Sequence, residues 1–323
     1  MNTIAVFTSG GDSPGMNACI RAVVRTALHH GLEVYGIMHG YQGMIEDQFK
    51  LLESDDVGNI IQRGGTILKS SRSKDFLTKE GRQKAFENLQ KYSIEGLIAI
   101  GGDGTFAGAK VFTREHQIPF IGLPGTIDND LIGTDYTIGY DTALNNVLDA
   151  VDKIKDTAAS HDRLFFVEVM GKDAGFIALR SGIGVGAAAI LIPEVNTNLE
   201  ELIANLDAAF KRKKTSSIIM VAEGDDAGGA YKIAEQVVKA LPHYDTRVSI
   251  LGHQQRGGSP SALDRMLASQ LGYEAVNSII AGKHSVMVGI VNKQVCYTPF
   301  DQAIKHNDKV NTQFLKLAEI LAA

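Results

Sequence analysis

The sequence predicts a soluble, doubly wound α/β protein of two domains. Three observations predict it: a length of 323 residues, short apolar runs alternating with amphipathic stretches, and Gly- or Asp-bearing loops at the carboxyl ends of those runs. The length exceeds one average domain and suits two of roughly 150 residues each. Cores of that size need no metal or disulfide staple.

Taken in order, Ile4–Thr8, Leu97–Ile100, Phe120–Leu123, Leu164–Met170, Ala189–Ile192, Ser217–Ala222 and Val248–Leu251 read as strands. They are rich in Ile and Val and lack polar alternation, as parallel strands covered on both faces do. Met16–His30, Asp141–Thr157, Leu199–Lys214 and Ala262–Ala281 read as helices, with Gly31 and Gly282 where C-terminal caps belong. In such a fold ligands gather at the carboxyl ends of the strands. Most of the glycine excess over the usual share falls where that rule is useful, in six loops that follow strands.

The balance of charge is −5, with no long basic run, which argues against nucleic-acid and membrane-surface roles. The cluster Lys211–Lys214 reads as a solvated helix end. Only Cys19 and Cys296 are present, without metal-ligand spacing, which fits a reducing cytoplasm. Met1 runs within a few residues into a core strand, so neither a signal peptide nor a membrane span is expected before it.

Three loops carry chemistry. Thr8–Asn17 (TSGGDSPGMN) joins a strand to a long helix through small residues, a setting for backbone N–H groups to meet an anion, although a plain turn would read alike. Gly101–Thr105 (GGDGT) sets one carboxylate, Asp103, between Gly102 and Gly104; the glycines admit phosphates to the main chain, Asp103 suits Mg²⁺ and Thr105 can donate to a phosphate oxygen. Pro124–Asp130 (PGTIDND) places Asp128 and Asp130 beside Thr126; one carboxylate can accept the proton of an attacking hydroxyl while the other orients it or holds metal. Arg72, Arg163, Arg247, His253 and Arg256 lie at or near strand ends and Gly-rich loops, and suggest a second phosphate, on the acceptor. Together these features point to a kinase that moves a phosphoryl group from Mg²⁺–ATP to a hydroxyl of a small phosphorylated substrate.

TSGGDSPGMN, IGGDGT, PGTIDND, VEVMG and LGHQQRGGSP, in this order and spacing, resemble the bacterial ATP-dependent 6-phosphofructokinases over essentially the whole chain. The resemblance implies two similar Rossmann-like domains with the active site in the cleft between them: 1–139 plus 255–305 for ATP, and 140–254 plus 306–323 for fructose 6-phosphate. It implies a cytoplasmic homotetramer under allosteric control that phosphorylates fructose 6-phosphate at the 1-hydroxyl. By the same resemblance Gly11, Arg72, Ser73, Gly102, Asp103, Gly104 and Thr105 would bind ATP, with Asp103 serving Mg²⁺. Asp128 would be the base, and Thr126 and Asp130 would position the reacting groups. Met170, Gly171, Lys172 and Glu223 would meet the sugar, and His253, Gln254, Gln255 and Arg256 its 6-phosphate side. Arg163 and Arg247 would reach the phosphate from a neighbouring subunit.

Pyrophosphate-dependent relatives usually carry Asp at the position of Gly104 and Lys at that of Gly125, so both glycines imply ATP as donor. Lys172 stands where the family generally has Arg, and Leu77 where it usually has a basic residue. Arg21, Arg25 and Lys214 match basic positions of the family's effector site, at which Lys155 is a departure from Arg. Ser54, Asp55, Asn59 and Ala188 also depart from it, which implies a weakened or changed response to ADP and phosphoenolpyruvate. Lipid and NAD kinases share GGDG loops but should lack the Asp128/Asp130 loop and the Arg/His cluster. A non-catalytic nucleotide sensor would be expected to lose Asp103 and Asp128 first.

Overall fold

The structure, a computed structural model, describes residues 1–212, 217–304 and 311–322. In chain order its strands and helices are β1 (Thr3–Thr8), α1 (Met16–His29), β2 (Glu33–Ile37), α2 (Gly40–Ile45), β3 (Phe49–Leu51), α3 (Lys79–Lys91), β4 (Gly96–Gly101), α4 (Asp103–His116), β5 (Phe120–Pro124), α5 (Tyr140–Ser160), β6 (Arg163–Val169), α6 (Phe176–Gly184), β7 (Ala189–Leu191), α7 (Leu199–Lys211), β8 (Ser217–Ala222), α8 (Gly229–Ala240), β9 (Asp245–Ile250), α9 (Ala262–Ile280), β10 (Val286–Val291), β11 (Gln294–Pro299), α10 (Phe300–Ala303) and α11 (Thr312–Ala322). The chain divides into two compact units. The first comprises Met1–Ile127, Leu131–Thr142 and Arg256–Asn307; the second comprises Asp128–Asp130, Ala143–Gln255 and Asp308–Ala323. The expected domain boundary at 305/306 and the end of the helix expected to reach Lys214 lie outside the described residues.

The sheet of the first unit has the order β11-β10-β5-β4-β1-β2-β3. Its five central strands are parallel, and β3 and β11 pair antiparallel at the edges. Both faces are covered, which explains the continuous apolar runs. Ile4 and Val6 of β1 pack in one core with residues of α1 and α9, while Ala5 and Phe7 pack in another with residues of α2, α3 and α4. Burying each large side chain contributes about 1.5–3 kcal/mol. The chain runs from β1 to β2 on one side, and β4 and β5 lie on the other. The switch point therefore falls between β1 and β4, so the loops after those strands open side by side.

The second sheet, β7-β8-β6-β9, is parallel throughout. Leu164 and Phe166 of β6 and Ile219 and Val221 of β8 pack with Ala230, Ile233 and Val237 of α8. Here β6 has β8 on one side and β9 on the other, so the loops after all three gather at one end.

The helix ends follow the sequence. Gly31 (φ +75°) and Gly282 (φ +79°) lie just past α1 and α9 in the left-handed conformation that glycine adopts without penalty. Ser261 caps α9 by accepting from the Asp264 N–H at 3.2 Å. Among the described residues no helix is long and apolar enough to cross a membrane.

Candidate active site

In the first unit the Ser9 N–H donates to the Ile100 carbonyl at 3.0 Å, tying the carboxyl end of β1 to that of β4. Gly11 lies beneath the Arg256 guanidinium, where an added Cβ would come within 2.5 Å of Nη1. Arg256 is held there by donating to the Asp12 carbonyl at 3.0 Å. Gly10 and Gly11 are exposed, whereas Met16, Asn17 and Ala18 at the start of α1 are buried. The open part of this loop is thus its glycine tip, and the accessible helix N-terminus belongs to α4.

Gly102, extended, is the N-cap of α4 and has no side chain to occupy the first-turn N–H groups. Asp103 and Gly104 are exposed, and a Cβ on Gly104 would meet nothing within 4 Å. Thr105 is 3% exposed, yet its buried Oγ1 has no hydrogen-bond partner among the described residues. The buried Tyr41 hydroxyl donates to the Thr105 carbonyl at 2.6 Å and fixes this turn. A glycine-lined helix N-terminus with an unused hydroxyl fits phosphate oxygens. Asp103 fits Mg²⁺ in the same way. The described residues contain no cluster of three or more His, Cys, Asp or Glu able to hold a metal, and Mg²⁺ is commonly held by one or two carboxylates completed by phosphates and water.

Arg72 is exposed and makes no ion pair among the described residues. Its loop is tied down by buried polar groups. Asn17 donates to the Arg63 and Gly64 carbonyls, both at 3.1 Å, and accepts from the Ile67 N–H at 2.7 Å. The Thr8 hydroxyl donates to the Lys69 carbonyl at 2.7 Å, and the Ser70 hydroxyl donates to the Gly10 carbonyl at 2.6 Å. The Ser73 hydroxyl donates to Gln42 Oε1 at 2.7 Å and accepts from the Phe76 N–H at 3.1 Å. Sequence reasoning missed the supporting roles of Asn17 and Tyr41. A lone Asn on the otherwise apolar inner face of α1 was the signal for the first.

The third loop begins against the second. The Gly125 N–H donates to the Gly101 carbonyl at 3.0 Å, and Thr126 lies beside Gly102. Gly125 is crowded: a Cβ there would sit 2.7 Å from Ile100 Cγ2. Thr126 is 8% exposed; its carbonyl accepts from the Thr137 hydroxyl at 2.6 Å. Two residues further along the chain comes Asp128, half-buried, and then Asp130, buried.

In the second unit the structure brings together three of the sugar-side positions. Glu223 Oε1 accepts from the N–H groups of Gly171 at 3.2 Å and Lys172 at 2.7 Å. The Met170 N–H donates to Gln255 Oε1 at 3.2 Å, and Gln255 Nε2 donates to the Gly252 carbonyl at 3.0 Å. Gln255 is therefore buried scaffold, while His253 and Gln254 beside it are exposed, as are Lys172 and Glu223. These residues follow β6, β8 and β9, at one end of the sheet.

Arg163 and Arg247 are elsewhere in that unit. Arg163 opens β6 and donates through Nε to Asp245 Oδ2 at 2.8 Å. Arg247 also pairs with Asp245. The two guanidinium groups, Arg163 foremost, hold the Asp245 carboxyl below its usual range. Seven residues of strand, on the order of 20 Å, separate Arg163 from Met170.

Of the effector-site positions, Arg21 and Arg25 sit one turn apart on α1, and desolvation first and Arg25 second lower the pKa of Arg21. Lys155 Nζ donates to the Val185 carbonyl at 2.8 Å, capping α6. Lys214 lies outside the described residues.

A family profile described as PFK, phosphofructokinase, matches residues 3–279. ATP-dependent 6-phosphofructokinase 2 of Bacteroides thetaiotaomicron is 53% identical, over 99% of this chain and 98% of that protein. ATP-dependent 6-phosphofructokinase 1 of Thermus thermophilus is 54% identical over the full length of both. Among solved structures, phosphofructokinase from Saccharomyces cerevisiae superposes with a TM-score of 0.89 at 35% identity, covering 100% of this chain and 48% of that one. With its motifs, its paired α/β units and its full-length similarity in agreement, the chain belongs to the phosphofructokinase family.

Proposed function

We propose that the protein transfers the γ-phosphoryl group of ATP to the 1-hydroxyl of fructose 6-phosphate, releasing fructose 1,6-bisphosphate, ADP and a proton, as the committed step of glycolysis in the cytoplasm. The observation that carries this reading is the exposed N-terminus of α4, with Asp103, Gly104 and the unpartnered Thr105 hydroxyl, set at the switch point of a parallel sheet. The relatives' names supply the acceptor.

Gly11, Gly102, Gly104 and Thr105 bind the phosphates of ATP, and Ser73 and Arg72 complete that side. Asp103 is the residue that would hold Mg²⁺, which when bound neutralises charge on the β- and γ-phosphates. Arg72 stabilises the charge that spreads over the transferring group. Asp128 accepts the proton of the 1-hydroxyl as its oxygen attacks phosphorus, and Thr126 and Asp130 hold that oxygen in line. Met170, Gly171 and Glu223 hold the sugar. Lys172 brings positive charge without the planar fork of arginine. His253 and Arg256 take the 6-phosphate, with Gln254 beside them and Gln255 fixing their turn.

The donor is ATP. Gly104 leaves open the space that an Asp carboxylate would occupy next to the phosphates, and Gly125 is too crowded for a Lys without displacement of Ile100.

Arg163 and Arg247 serve the site of a neighbouring subunit in a homotetramer. Their place at the amino end of β6 and alongside it on β9, away from Met170 and Glu223 of the same unit, supports this assignment. Regulation by ADP and phosphoenolpyruvate is weaker than is usual in the family, because Ser54, Asp55, Asn59 and Ala188 lack the family's side chains and Lys155 is engaged at Val185.

Three outcomes are expected. Asp128→Ser lowers turnover about 10²–10⁴-fold with the melting temperature unchanged; full turnover would refute the base assignment. Arg163→Ala and Asp128→Ser, each impaired alone, regain activity when co-assembled, since mixed tetramers contain sites with both groups intact. A mixture no more active than its parents would place Arg163 in its own chain's site. Initial rates at low fructose 6-phosphate move less than about twofold when ADP or phosphoenolpyruvate is added; strong activation by the first with strong inhibition by the second contradicts the regulatory reading.

A further inference from the structure

Asp264, in the first turn of α9, is fully buried and belongs to none of the motif roles above. Its carboxylate accepts three hydrogen bonds from one short segment. Oδ1 accepts from the Gly139 N–H at 2.8 Å, and Oδ2 accepts from the Thr142 N–H at 2.8 Å and the Thr142 hydroxyl at 2.5 Å. The Thr142 hydroxyl in turn accepts from the Ser261 N–H at 2.9 Å, and the Ser261 hydroxyl donates to Asp141 Oδ2 at 2.6 Å. Burial raises the Asp264 carboxyl above the ordinary range, while its donors oppose the rise.

That segment is the backing of the third loop. The Ile138 N–H donates to the Pro124 carbonyl at 2.8 Å, and Ile138 bridges to Gly125. The Thr137 hydroxyl holds the Thr126 carbonyl at 2.6 Å. Gly139 also packs against the first loop, where a Cβ on it would come within 2.5 Å of Ser13 Cβ.

We propose that Asp264 is a positioning residue for phosphoryl transfer, fixing through Gly139 and Thr142 the 137–142 segment and, through that segment, the Pro124–Thr126 backbone leading to Asp128. The inference rests on the functional reading above. A misplacement near 1 Å at a reacting group costs about 10²-fold in rate. Asp264 does not touch Arg72 or the Gly102–Thr105 turn, and it meets the first loop at Gly15 rather than at its glycine tip, so nucleotide binding is spared while turnover falls.

The test is steady-state kinetics of the full-length enzyme with Asp264→Asn, beside Asn88→Ala as a stability control. Asn88 is a buried side chain that donates to the Met44 and Ile45 carbonyls and has no link to the third loop. Asp264→Asn keeps the shape but turns a donor toward Gly139 or Thr142; it is expected to lower kcat at least tenfold with KM for ATP within about threefold. Asn88→Ala is expected to lower the melting temperature with kcat within about twofold. The pair Thr142→Val and Thr142→Ser gives the same decision if Asp264→Asn does not fold: loss of kcat in the first and its rescue in the second support the proposal. It is overturned by wild-type kcat in folded Asp264→Asn, by equal kcat in both Thr142 variants, or by KM for ATP rising in step with the loss of turnover. An inactive parent enzyme would instead overturn the functional reading on which the proposal rests.

Discussion

The hydrogen bond from the Ser9 N–H to the Ile100 carbonyl marks the constraint on which the site depends: β1 and β4 are parallel neighbours from which the chain departs in opposite directions. Such neighbours leave a crevice at their carboxyl ends that no crossover helix fills. The glycine tip of the first loop and the start of α4 open into it together. Because both faces of the sheet are buried in packed cores, these strand ends are also where the backbone can offer unused N–H groups to a ligand. The chemistry follows from that placement. Phosphoryl transfer needs positioned charge more than covalent participation, and a helix N-terminus with one carboxylate and one free hydroxyl supplies it with little reorganisation.

Much of this architecture was legible in the sequence, because buried parallel strands leave an unmistakable trace. Ile4–Thr8, Phe120–Leu123 and Ser217–Ala222 read as strands since each must be apolar on both faces, and each is one, within a residue or two at its ends. Toward the rims the sheet was less legible: the parallel, only partly buried β2 and β10 were not read, nor were the edges beyond them. Phe49–Leu51 and Gln294–Pro299 pair antiparallel at the rims of the larger sheet, where exposure relaxes the apolar requirement. Several helices were not read from the sequence, α3, α6, α8 and α11 among them; α8 begins at two glycines, Gly228 and Gly229, that read as loop, and both have positive φ and bring the α8 N-terminus to the Glu168 carboxylate.

The same division holds at the site. The residues proposed to meet ligand declared themselves by type: Asp103 between glycines, Asp128 and Asp130 two apart. Residues that hold the loops did not, because a buried Asn17 or Asp264 is told from a surface one only by its partners in space. Buried polar groups of this sort cost stability unless each is matched, and here Asn17 and Asp264 each make three hydrogen bonds. Arg163 and Arg247 show the converse. Their chemistry was plain from sequence, but their pairing with Asp245 at the start of β6, far from Met170, emerges only from strand register.

Whether the Gly102–Thr105 turn carries magnesium nucleotide for attack by a sugar hydroxyl can be read from product formation, with fructose 6-phosphate and Mg²⁺ supplied and either ATP or pyrophosphate as the sole donor. Fructose 1,6-bisphosphate and ADP in equal amounts are expected with ATP, and turnover with pyrophosphate at least about 10²-fold slower. Comparable rates with the two donors, or product from pyrophosphate alone, would contradict that reading of the turn.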